Sequence, residues 1–193
     1  MKLLKSILKW LFIAGITLLI LAVVLSPYQH YPGETQRAII CSIEIDAPVE
    51  TVFAYLGDSD HAKEWSVFVD HITPLNSSSY PDGAVGSIRR AFCNPDESGM
   101  RWDELTTKVV PHELRRLDVY GFVDFPMTAE GLFTEQRYTS LPDGKTQLAF
   151  TLEFKESPSL WVQLKTSLGA HRIASIFDDN LENIKRLIEA ENP

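Results

Sequence analysis

Five histidines, His30, His61, His71, His112 and His171, are the first residues to weigh for chemistry. Their spacing forms neither H-x-H nor H-E-x-x-H, so no zinc site is expected. The run DSDHAKE brings Asp58, Asp60, His61 and Glu64 together. That set imitates a metal cluster, and it equally describes a capped, solvated helix start. No G-x-S-x-G, P-loop or G-x-G-x-x-G is present, and Ser87, which follows Gly86, lacks a nucleophile-elbow context. No catalytic set, metal or cofactor is therefore expected.

The remaining candidates are polar residues inside strand-like runs. If Leu105, Thr107 and Val109 face inward, Arg101 and Asp103 share their face, and such a pair at a cavity wall orients a ligand or moves a proton. Trp102 and Glu104 then sit on the convex face. The alternative is that Arg101 and Asp103 lie in water at a frayed strand end, because charged residues are seldom buried unless paired. Arg89 and Arg90 pose the same question, since one of two adjacent strand residues must point inward. An inward arginine binds a carboxylate or phosphate, or it forms a structural ion pair.

These residues are positioned by a legible series of elements. In AIICSIEID, Ile39, Cys41, Ile43 and Ile45 alternate with Ile40, Ser42, Glu44 and Asp46, the period of a half-buried strand. Pro48 opens a helix carrying Val49, Val52, Phe53 and Leu56, which Gly57 stops, and a second short helix covers Asp60 to Trp65. Six strand-like runs follow, from HITPLNS to TQLAFTLEF, separated by turn signals such as Pro81-Asp82-Gly83 and Pro142-Asp143-Gly144. In the last run Leu148, Phe150, Leu152 and Phe154 share one face. Its cover is a long amphipathic helix entered at Ser157-Pro158, with Leu160, Leu164 and Leu168 in front of Gly169 and Ile173 to Ile188 behind it. On this reading Leu164 belongs to a front segment able to shift about Gly169 as a cavity gate. Cys41 and Cys93 fall in different strands, and two separate buried thiols are the simpler expectation.

The N-terminal run Ile7 to Leu25 contains a single charge, Lys9, and is long enough to span a bilayer core. A cleaved signal peptide is the rival reading, weakened by the length of the run and the lack of an A-x-A site. Lys2, Lys5 and Lys9 put +3 on the first 25 residues, so in a chain of net charge −8 the remainder carries −11. The basic flank predicts a single-pass membrane protein with a cytoplasmic N-terminus and an extracytoplasmic body, periplasmic if the source is Gram-negative. The acidic body argues against a nucleic-acid partner. Residues 1–26 are thus read as an anchor, 27–36 as a stalk and 37–193 as the domain.

The order strand, two short helices, six strands, long helix, together with IEIDAPVETVFAYLGDSDHAKEWSVFVDHI, VGSIRR, RWDELTTKVVPHELRRLDVYG and IFDDNLENIKRLIEA, resembles the START-like SRPBCC superfamily. The likeness is greatest to its polyketide cyclase/dehydrase and lipid-transport branch, and it covers about residues 37–190. It implies an α+β helix-grip fold, a curved antiparallel sheet of about seven strands round the C-terminal helix, with an apolar cavity between them. Trp65, Phe92, Phe133, Phe150, Trp161, Leu164, Leu168 and Ile173, with Arg101 and Asp103, are the expected cavity residues. The expected function is binding of a hydrophobic small molecule or lipid. The alternatives are a cyclase or dehydratase, and a protein-interaction module with a vestigial cavity.

Overall fold

The computed structural model describes residues 2–30, 36–125 and 130–191. Helix α1 (Lys2–Val24) is followed by β1 (Tyr28–His30), β2 (Gln36–Ile45) and α2 (Val49–Tyr55). A single 3-10 turn (Ser59–His61) leads into α3 (Ala62–Trp65). The meander is β3 (His71–Pro74), β4 (Ile88–Phe92), β5 (Arg101–Val110), β6 (Leu114–Val123), β7 (Phe133–Ser140) and β8 (Thr146–Lys155), closed by α4 (Leu160–Glu191). All neighbouring strands pair antiparallel in the order β1-β2-β8-β7-β6-β5-β4-β3, so the first and last strands of the domain meet and α4 crosses the concave face. This is the helix-grip arrangement.

Two local departures from the sequence reading have simple causes. Helix α4 begins at Leu160 rather than at Ser157-Pro158, because Ser157 Oγ accepts the Ser159 N–H at 3.2 Å and its carbonyl accepts Gln163 Nε2 at 2.8 Å. The turn before the helix is thereby capped from outside. The second departure lies in the expected stalk, where Tyr28, Gln29 and His30 pair with Ile39, Ala38 and Arg37. The Tyr28 ring also packs on Phe154 with centroids 5.2 Å apart. Residues 31–35 of that stretch, and 126–129 at the start of the expected β7 run, lie outside the described residues.

Helix α4 runs parallel to β2 and is tied to it along its length. Cys41 Sγ faces the Ala174 carbonyl at 3.7 Å, Lys185 Nζ donates to the Glu44 carbonyl at 2.8 Å, and Glu189 Oε1 accepts the Asp46 N–H at 2.8 Å. Both thiols are free. Burial, and then the neighbouring Asp178 carboxylate, pushes the Cys41 pKa up to about 12. The core has two parts. One joins α2 and the rear of α4 to the sheet through Val52, Ile45, Leu148, Leu181, Ile184 and Ile188. The other gathers Ile39, Ala91, Trp102, Val119, Leu152 and Phe154. Phe177 touches both.

Two outcomes test this account. Ile184→Ala, at a fully buried position, should lower the unfolding free energy by about 3 kcal/mol in a denaturant titration. A soluble chain starting at Ser26 should unfold cooperatively, and one starting at Tyr31 should be less stable by about 1 kcal/mol for want of the Tyr28–Phe154 pair. Equal stability of the two would show that β1 is an ornament on the sheet edge.

Candidate functional site

The rear of α4 is packed tightly, with Leu181, Ile184 and Ile188 at 1%, 0% and 1% exposure. In its front half one edge, Ser167 and Ala170, stays buried, while the other edge stands away from the sheet. Val162, Thr166, Gly169 and Ile173 face β6, β7 and β8 across a cavity of about 480 Å³. Gly169, an exposed residue on the rim of this cavity, would place a Cβ within 4 Å of no atom. Side chains of Trp65, Phe68, Trp102, Val119, Leu152 and Phe177 supply most of the apolar wall. Exposed Lys165 and Arg172 on α4 also line the cavity and so mark its opening. Asn180 Oδ1 accepts the Val67 N–H at 2.8 Å and Asn183 Nδ2 donates to the Trp65 carbonyl at 3.1 Å, which pins the loop after α3 against the helix.

One wall is polar. Arg89 Nε donates to Glu104 Oε2 at 2.7 Å, and Trp102 Nε1 donates to Glu104 Oε1 at 2.9 Å. Arg89 Nη1 reaches Ser59 Oγ at 3.1 Å, whose hydroxyl and N–H both donate to Asp82, at 2.9 and 2.8 Å. Gln136 lines the same side. It belongs to a deeper network in which Tyr138 OH and Arg115 Nη1 donate to its Oε1, at 2.7 and 3.1 Å. The Arg115 guanidinium lies 4.4 Å from the Phe53 ring centroid. Burial pulls its pKa below the usual arginine range and pushes the Tyr138 phenol well above its own.

Of the residues singled out from sequence, Trp65, Phe150 and Ile173 are on the cavity wall. Arg101 and Asp103 are not. On β5 the buried residues are Trp102, Glu104 and Thr106, while Asp103 pairs with Arg90 on the opposite face at 2.6 Å. Leu105 does share a face with Asp103, but it is the outer one; the register shift between Thr106 and Lys108 lies beyond both, so Val109, opposite buried Arg115, is no guide to their side. Of the arginine pair, Arg89 is the one that turns inward. Phe92 stacks on His71 at 4.9 Å, and Phe133 lies beneath the Arg116 guanidinium at 3.4 Å. Both are outside the cavity.

Trp161, Leu164 and Leu168 also lie off the wall, so Leu164 is not placed to gate it. The inward row of the front helix is Val162, Thr166, Gly169 and Ile173, which is too small and polar to stand out as an apolar stripe. Arg89, Trp102, Glu104 and Gln136 were missed as wall residues for a related reason. A buried ion pair looks like surface in a sequence, and the only available signal was the Arg89-Arg90 doublet.

Each Glu104 oxygen accepts one hydrogen bond, from Arg89 Nε and Trp102 Nε1, so the carboxylate is held in place on the wall. The buried Trp65 Nε1 has no hydrogen-bond partner among the described residues. It is a donor that a ligand oxygen can satisfy. Among the described residues no group of three or more His, Cys, Asp or Glu side chains is placed to hold a metal ion.

The family model described as polyketide cyclase / dehydrase and lipid transport matches residues 39–189. No curated protein sequence matches the chain. Among solved structures, norcoclaurine synthase from Thalictrum flavum, solved with a transition-state analogue, superposes with a TM-score of 0.62 at 12% identity, over 82% of this chain and 97% of that one. The ZhuI aromatase/cyclase from Streptomyces sp. R1128 gives 0.59 at 13%, over 82% and 96%. XoxI from Bacillus cereus gives 0.60 at 11%, over 81% and 98%. At these identities the superpositions establish the fold alone.

Removing one member of the buried pair strands the other. Glu104→Leu should therefore destabilise the domain by about 3 to 5 kcal/mol, and Arg89→Met/Glu104→Leu should restore much of that loss. Denaturant unfolding of the two variants decides, and an equal loss in both would mean that the ion pair is not the source.

Proposed function

The chain belongs to the polyketide cyclase / dehydrase and lipid transport family, and on that premise we propose that it is a membrane-anchored, extracytoplasmic domain that binds a hydrophobic small molecule or lipid without changing it. The observation that carries this reading is the open, largely apolar cavity of about 480 Å³ beneath the front of α4, within the size range of small-molecule sites. Burial of apolar ligand surface, at about 25 cal/mol per Å², supplies the affinity. Trp65 Nε1, a buried donor without a partner on the cavity wall, orients a polar group of the ligand. Support for the anchor comes from α1, whose Leu4–Val24 segment has a mean hydropathy of 2.5 with none of its most apolar window buried. The lysines before it favour a cytoplasmic N-terminus.

A second reading, a cyclase or dehydratase acting on a hydrophobic substrate, draws on two observations. Charged Arg89 and Glu104 line the cavity, and two of the superposed proteins are a synthase and an aromatase/cyclase by name. The largely apolar lining of the cavity favours binding over proton transfer.

Gly169 offers a direct test because it faces empty space from a helix interior. Gly169→Phe should fill the cavity and abolish uptake of a fluorescent fatty acid, while the melting temperature holds or rises, since glycine is a poor helix former. Unchanged uptake by the folded variant would place the ligand elsewhere. For the topology, a reporter active only outside the cytoplasm and fused after Pro193 should be active, and the protein should stay with membranes after an alkaline wash. Activity confined to a cytoplasmic reporter would reverse the orientation, and release by the wash would favour cleavage.

A further inference from the structure

Helix α1 projects away from the domain, with every residue from Leu4 to Leu21 exposed. Among the described residues it is hydrogen-bonded to the body at its end, where the Ala22 carbonyl lies 2.8 Å from His171 Nε2, and just beyond it, where Ser26 Oγ donates to the Ser167 carbonyl at 2.8 Å. The Ser167–His171 turn of α4 is thus level with the end of the apolar helix. Strand register places the cavity mouth at the same level. Gln36 pairs with Lys155 at the end of the sheet where the chain arrives from α1. Met100 before β5, Phe125 after β6 and Leu132 before β7, all of them cavity residues, border that same end.

The surface between α1 and the mouth is apolar without a covering. At about 100° per residue, Ser167 and His171 face α1, Gly169 faces the cavity, and Trp161, Leu164 and Leu168 occupy the arc between them. Trp161 is 62% and Leu168 38% exposed, although a soluble surface would set polar residues there. On the mouth side this arc is bordered by Lys165 and Arg172, neither of which is ion-paired among the described residues. Lys165 Nζ lies 5.6 Å from the Trp161 ring centroid.

We infer that this face of α4 docks on the bilayer that holds α1, with Trp161 and Leu168 at the headgroup boundary and Lys165 and Arg172 on anionic lipid headgroups, so that the cavity opens onto the membrane surface. The inference rests on the anchor reading and adds to it an interface. Tryptophan beside aliphatic residues with flanking basic groups is the composition that settles at a membrane boundary. The two cations also offset locally the repulsion between an acidic body and an anionic surface. A ligand drawn from the leaflet then enters without crossing water.

The test uses the full chain in nanodiscs containing phosphatidylglycerol, with a genetically encoded fluorescent residue placed in turn at Leu18, Leu168 and Asp143, the last in the turn before β8 at the far end of the sheet. Brominated lipid should quench positions 18 and 168 and leave 143 unaffected, while aqueous iodide does the opposite. Lys165→Glu/Arg172→Glu should reduce lipid quenching at 168 to the level at 143, with position 18 unchanged. Quenching of 18 but not 168 by lipid would overturn the docked face and leave the anchor standing. Absence of lipid quenching at 18 would overturn the anchor and this proposal with it. Shielding of 168 from both quenchers, in a particle holding two copies, would assign the stripe to self-association instead.

Discussion

Helix α4 is packed most closely at its rear, and much of the molecule follows from that. Leu181, Ile184 and Ile188 lock its rear against α2 and the sheet, where burying each side chain contributes about 1.5 to 3 kcal/mol. A continuous helix of 32 residues is stiff, so fixing the rear fixes the path of the front. The sheet meanwhile curves away, and the small residues Gly169 and Thr166 do not reach across the gap. The cavity is therefore a consequence of where packing stops, and it needs no special lining to remain open.

The polar wall is compatible with this apolar space because it is nearly self-contained. Arg89, Glu104, Trp102 and Ser59 satisfy one another, with Asp82 closing the chain on the far side. Arg115, Gln136 and Tyr138 form a second set behind it, in which only the buried Arg115 Nε is left without a partner among the described residues. Satisfied networks of this kind rigidify a core, whereas half-satisfied ones penalise it. The few donors left over are then specific, since an apolar ligand gains from the cavity only if it does not leave them without an acceptor.

The family motifs and the turn signals made most of the fold legible. Each strand of the meander was bounded by proline, glycine or Asn-Pro-Asp breaks, and the alternation of Leu148, Phe150, Leu152 and Phe154 named the inner face of β8 correctly. The cavity was far less legible. On β5 a register shift reverses the inner face between one end of the strand and the other, and a shift leaves no mark in hydropathy. Along α4 the conspicuous leucines point toward α1 and solvent, while the residues that face the cavity are inconspicuous.

The difference has one physical origin. Local periodicity, capping and turn chemistry act between near neighbours, so the sequence by itself determined the elements, their order, the apolar N-terminal helix and the inward choice between Arg89 and Arg90 as a necessity. Which face of each element meets another is a long-range matter of register and packing. Only the tertiary structure decided that Glu104 is buried because Arg89 lies across the ladder from it, that Tyr28 completes a sheet edge, and that Gly169 looks into open space. A cavity is an absence of contact, and no residue encodes it alone.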